Sequence, residues 1–168
     1  MYGYYLLGLI FLIITYQDFK ERAISAWTIP AIFLGSLCLA WSDDIWQVGF
    51  LLFNIFFVGI QLLGVSLYFS IKHRAWINVT KDYLGLGDVL FFLAITPLFA
   101  PLQFCCFFIG SLLLILIIIG IYHLSIKRLK TIPLAGAMSI CWLFYNAFLF
   151  YYNLSSYNDW NLVQYIYG

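Results

Sequence analysis

Two aspartates stand where an apolar chain seldom keeps a charge. Asp88 follows a pair of glycines in Gly85-Leu86-Gly87-Asp88-Val89 and opens a long apolar run. Asp18 closes the first apolar run, in Gln17-Asp18-Phe19-Lys20-Glu21-Arg22. A carboxylate at the mouth of a membrane span is costly, so its presence points to function. Two acids brought from separate helices to one depth form a pair. One of them holds a proton and the other stays charged, because like charges at close range resist double ionisation. The charged member can deprotonate a water, and the protonated member can polarise a peptide carbonyl. Gly85 and Gly87 remove bulk beside Asp88 and permit φ > 0, which would let an extended substrate backbone come close. Each acid also has a structural reading. Asp88 suits a helix N-terminus after a glycine turn, and Asp18 is a polar flank beside Lys20 and Arg22.

The other reactive residue types carry less. Cys38, Cys105, Cys106 and Cys141 lie in apolar surroundings without a Cys-x-x-Cys pair. They read as buried thiols acting as small hydrophobes, and neither a metal site nor a cofactor is expected. His73 and His123 flank different basic loops and read as interfacial histidines. Gln47, Asn54 and Gln61 recur every seven residues and so share a helix face. Hydrogen bonding between helices is one role for them, and a polar lining facing a substrate is the other. Ala135 and Ser139 give a small-x-x-x-small spacing that suits close helix packing.

The elements that must position these residues are membrane helices. The chain has 168 residues, 65% hydrophobic and 9% charged, with mean hydropathy +0.99. Soluble domains are about a quarter charged. A net charge of +1 and the lack of a long basic run give no reason to expect a nucleic-acid partner. Apolar runs cover 2–17, 27–41, 45–71, 84–100, 102–124 and 133–152. A span needs about 20 residues, so the expectation is one all-α domain over 1–168, a bundle of six transmembrane helices, some short or tilted. The region 84–124 also fits one span plus a re-entrant piece, but its length favours two, broken near Ala100-Pro101. No base precedes the first run and Lys20 and Arg22 follow it, the reverse of a signal peptide.

Alternating six spans from an outside N-terminus puts every Lys and Arg into the inner segments 18–26, 72–83 and 125–132. Asp43, Asp44 and Asp159 fall outside, a positive-inside pattern. Trp41, Trp46, Tyr151, Tyr152 and Trp160 would form the outer aromatic belt, and Tyr16, Trp27, Trp76 and Tyr83 the inner one. Asp18 and Asp88 then share the cytoplasmic face.

Three stretches, in order, resemble one family. Asp18-Phe19-Lys20-Glu21-Arg22-Ala23-Ile24-Ser25 resembles the first aspartate motif of type IV prepilin leader peptidases, Asp-x-x-x-Arg-x-Ile-Pro. Gly85-Leu86-Gly87-Asp88-Val89 is similar to their Gly-x-Gly-Asp-Val motif, and Lys130-Thr131-Ile132-Pro133-Leu134-Ala135-Gly136 to the Ile-Pro-Phe-Gly-like start of their last helix. Ser25 stands in place of the usual Pro, Ala26 in place of a polar residue, and Leu90 where many members have Lys. The N-terminal Cys-x-x-Cys part of the long members has no counterpart, which leaves a zinc site and N-methyl transfer without support.

The resemblance implies a membrane aspartic endopeptidase with Asp18 and Asp88 catalytic. It implies removal of the basic leader from a prepilin or pseudopilin-like precursor, ahead of that precursor's apolar helix. Gly85 and Gly87 are the expected substrate-facing glycines, and Glu21 and Asp82 are acids that a basic leader could meet. Two other classes remain open on the residues alone. One is a small ion-coupled transporter, since intramembrane acids also carry ions. The other is a catalytically inactive scaffold of a pilus or secretion assembly.

Overall fold

A computed structural model describes residues 2–42, 48–74, 85–125, 133–160 and 163. Among them the chain is helical throughout, with no strand. The helices are α1 (Tyr2–Glu21), α2 (Thr28–Ser42), α3 (Val48–His73), α4 (Leu86–Ala94), a 3-10 turn (Thr96–Leu98), α5 (Pro101–Ser125) and α6 (Leu134–Tyr151). Three stretches, Val48–His73, Pro101–Tyr122 and Leu134–Tyr151, are long and apolar enough to cross a membrane. Asp43, Asp44, Trp46, Gln47, Trp76, Lys81, Asp82, Tyr83, Lys127, Arg128 and Lys130 lie outside the described residues, as does the side chain of His123.

Of the remaining helices, α2 matches the length of the 27–41 run, itself short for a span, and only α4 is shorter than its apolar run. α2 has 15 residues, about 22 Å at 1.5 Å per residue, against a hydrocarbon core of about 30 Å. α4 has 9 residues. The run 84–100 is therefore not one helix: α4 ends at Ala94, and Phe99 is extended with φ −138° and ψ 147°. The break begins upstream of the expected Ala100-Pro101 because Pro97 has no N–H to continue the ladder. Asn54 of α3, fully buried, closes the break. Its Nδ2 donates to the Thr96 and Phe99 carbonyls, both at 2.9 Å. Of the face read as polar, Asn54 thus bonds between elements, whereas Gln61 is exposed.

Aromatic rings fill the centre. Phe11 of α1 stacks on Trp142 of α6 at 4.2 Å and meets Phe91 of α4 edge-on at 6.0 Å. Phe92 and Phe108 tie α4 to α5 at 5.1 Å. α1 runs against α6, where Ala135 and Ser139 are fully buried. The Ser139 hydroxyl donates to the Ala135 carbonyl at 2.7 Å, so the small side chain brings no unsatisfied polar group. Against expectation, none of the four thiols is fully buried. Cys38 and Cys106 are exposed on their helices, and Cys105 and Cys141 are half-buried. A thiol is apolar enough for an outward position on such a helix.

At the far end of α6 the tail is fastened to α5. Asp159 accepts from the Leu102 and Gln103 amides, each at 3.2 Å. Gln103 donates through Nε2 to the Ser155 and Asn158 carbonyls at 2.9 and 2.7 Å, and Tyr145 donates to Gln103 Oε1 at 2.7 Å.

Candidate functional site

The site lies at the other end of α6. Pro133 occupies the N-cap position of that helix, with no side-chain cap. The amides of the first turn have no partner within a helix and must find one outside. Ala135 N–H donates to Asp88 Oδ1 at 3.2 Å, and Gly136 N–H donates to Asp18 Oδ2 at 2.6 Å. Two acids from two different helices thus meet consecutive amides at the positive end of a third.

Each acid is delivered by a distinct local device. Asp18 sits in the last turn of α1 and is 6% exposed, shielded from bulk water at the α1–α6 contact. α1 stops just beyond it because Arg22 takes the left-handed conformation at φ 54°, and the Arg22 amide closes on the Asp18 carbonyl at 3.2 Å. The segment 22–27 is then folded back. Ser25 N–H donates to Gln17 Oε1 at 3.1 Å, and the Thr28 hydroxyl donates to the Ser25 carbonyl at 2.7 Å. This lays Ile24 against Gly87.

Asp88 is in the first turn of α4, half-buried. Gly85 is the N-cap, and its carbonyl accepts from the Asp88 amide at 3.0 Å. The expectation that these glycines supply φ > 0 fails. Gly85 has φ −63°, and no described glycine has a positive φ. Nor are they tightly confined. A Cβ on Gly85 would lie 3.4 Å from Asp88 Oδ2, and one on Gly87 would lie 3.6 Å from Ile24 Cδ1, ordinary contact distances.

Within the site the crowded glycine is Gly136. A Cβ there would stand 3.0 Å from both Cβ and Oδ2 of Asp18 and 3.1 Å from the Phe19 ring. Thr15 adds a hydroxyl bond to the Gly136 carbonyl at 3.3 Å. The charge on Asp18 acts on Asp88, and the Arg22 guanidinium acts on Asp18. Among the described residues no three His, Cys, Asp or Glu side chains gather as metal ligands. What the arrangement offers is acid–base chemistry between two carboxyl groups.

Of the other expected site residues, Glu21 is exposed at the end of α1, Gly85 is exposed and Gly87 half-buried. Asp82 is outside the described residues. Sequence reasoning did not assign the Ala135 and Gly136 amides, Gln17 or Ile24 to the site. A signal existed for the amides. Pro133 precedes a helix that has no Ser, Thr, Asp or Asn to cap it, and small residues follow at the second and third positions. Compared with protein-family models, curated proteins and solved structures, the chain finds no match.

Proposed function

We propose that this chain is a membrane aspartic endopeptidase that removes the basic leader from a prepilin or pseudopilin-like precursor. The observation that carries the reading is the delivery of Asp18 and Asp88 onto the consecutive amides of Gly136 and Ala135. Helix capping alone does not call for it. At the start of α5 the two oxygens of Asp159 satisfy the equivalent pair of amides, Leu102 and Gln103. α6 uses two acids for what one achieves in α5, and it does so against their mutual repulsion. A proton shared between them relieves that repulsion and makes the pair a general acid and base.

In the proposed reaction the charged carboxylate takes a proton from water as the oxygen attacks the scissile carbonyl. The protonated carboxyl hydrogen-bonds that carbonyl, and the pair then returns a proton to the leaving amine. No covalent intermediate is needed. The proposed setting is the cytoplasmic membrane, with six crossings, the N-terminus outside and the acids at the inner face. The distribution of Lys and Arg in the sequence supports that orientation. The substrate's apolar helix would lie in the bilayer and its basic leader at the inner surface.

The test is co-expression with a prepilin-like substrate, scoring leader removal by mass with protein levels checked. Asp18→Asn and Asp88→Asn should each lose nearly all cleavage. The double variant should be scarcely worse, because members of one catalytic unit are not additive. Substantial cleavage by either single variant rejects the mechanism. Ion flux without proteolysis in the unaltered protein would favour the transporter class instead.

A further inference from the structure

Resting on the reading above, we propose that Gly136 is a positioning residue that makes Asp18 the charged member of the pair and leaves the shared proton on Asp88. The two acids are not equivalent. The amide bond to Asp18 is 2.6 Å and that to Asp88 is 3.2 Å. Bonds from N–H to an ionised acceptor are the short ones, and neutral ones are longer. A hydrogen bond donated to the charged form favours that form.

The short bond depends on an absent side chain. With a methyl at position 136, its carbon would stand 3.0 Å from Asp18 Oδ2 and 3.0 Å from Asp18 Cβ. Few real contacts are that close, and the Phe19 ring would also lie at 3.1 Å. Asp18 would have to give by a few tenths of an ångström, which lengthens its bond to the amide. Ala135 already carries a methyl and donates the longer bond.

The surrounding charges divide the same way. Burial works against the charge on both acids, and Asp88 also takes a backbone bond from Gly85; what sets Asp18 apart is Arg22, the cation that acts on it. α4 carries no charged residue besides Asp88, α2 and α6 carry none, and α3, which packs on α4, carries Lys72 and His73 in its exposed last turn. Lys20 and Glu21 are exposed at the end of α1, and Tyr145, further along α6, is bonded to Gln103. The dipoles of α1 and α4 oppose the assignment, since Asp18 is near a C-terminus and Asp88 near an N-terminus. A direct charge-assisted bond with a guanidinium nearby outweighs a terminal dipole.

The experiment uses the full chain in lipid bilayers and needs no substrate, so its outcome is separate from that of the cleavage assay. In Asp88→Asn and Asp18→Asn a single acid remains, and coupling between the two is gone. The carboxyl stretch, followed by infrared spectroscopy across pH, should show the lone Asp18 losing its proton at lower pH than the lone Asp88. The reverse order overturns the assignment. In Asp88→Asn labelled with nitrogen-15 glycine, the Gly136 amide resonance should move with the Asp18 titration. A Gly136 amide that stays still overturns its role, and this measurement keeps Gly136 itself, so crowding by a new side chain at 136 is not at issue. Where cleavage is measurable, Gly136→Ala should lower kcat about a hundredfold, the scale of a misplaced reacting group, with KM unchanged. An unchanged kcat counts equally against the proposal.

Discussion

Two of the chain's twelve glycines, Gly87 and Gly136, show how little a residue's type says until its neighbours are known. Gly87 sits inside a recognisable motif, beside an acid, and invites an argument from backbone freedom. Its surroundings do not support that argument: a methyl there would touch Ile24 at 3.6 Å. Gly87→Ala is therefore expected to accumulate and to cleave within a few-fold of the unaltered protein, while Gly87→Val presses branched bulk onto Ile24 and loses more. Measuring leader removal for both, normalised to protein level, checks this. An alanine variant as inactive as the valine one would return the argument to backbone conformation. Gly136 ends the third resembling stretch, where no acid stands beside it, yet it is the glycine pressed against Asp18. The acids were legible because charge in an apolar run is costly. Their receptors were not, because backbone amides look alike in a sequence. The helix start at Pro133 without a capping side chain, within the third resembling stretch, marked them.

Among the elements, the short α4 and the turn after it depend on groups supplied from elsewhere. Pro97 makes a break foreseeable, but not which carbonyls it frees or who satisfies them. That depends on the height at which α3 passes, and of its two described polar residues in that register Asn54 meets the break while Gln61 is exposed. Asn54→Leu should strand two buried carbonyls, at about 1–3 kcal/mol for each group left unsatisfied. Denaturant unfolding in detergent should register the loss, and a variant as stable as the parent would mean the carbonyls find another donor. From sequence Asp159 entered only the charge count of the outer segments, whereas in the fold it holds the first turn of α5. Asp159→Ala should lower stability by about 1 kcal/mol, as for loss of an N-cap. Asp159→Asn keeps one acceptor and should lose less. Neither should alter the pH dependence of cleavage, since α6 separates Asp159 from the acid pair by nearly its full 18 residues.

For the molecule as a whole, composition was enough to read a helical membrane protein, and hydropathy was enough to find the runs. Run length was less informative about crossing. Three helical stretches have the length and apolarity to span, while α1 ends in the polar Gln17–Glu21 segment and α2 and α4 are short. Orientation is a matter of loop charge, and it makes a sharp prediction. In a background without the four native cysteines, two of which are exposed, single cysteines report the side on which each loop lies. Position 159 is unsuitable because Asp159 is a cap, but Trp160 beside it is 71% exposed. Ala23 and Lys72 are exposed at the other end, one after α1 and one closing α3. If the basic segments face the cytoplasm, Trp160→Cys should react with an impermeant thiol reagent added to intact cells. Ala23→Cys and Lys72→Cys should react only after the membrane is opened. Ala23 is five residues beyond Asp18, so its label also reports the side of the acid pair. Labelling of Ala23→Cys from outside would put the pair at the outer surface, where a basic leader retained in the cytoplasm cannot reach it. The proposed peptidase function would then fail on topology, whatever the geometry at α6.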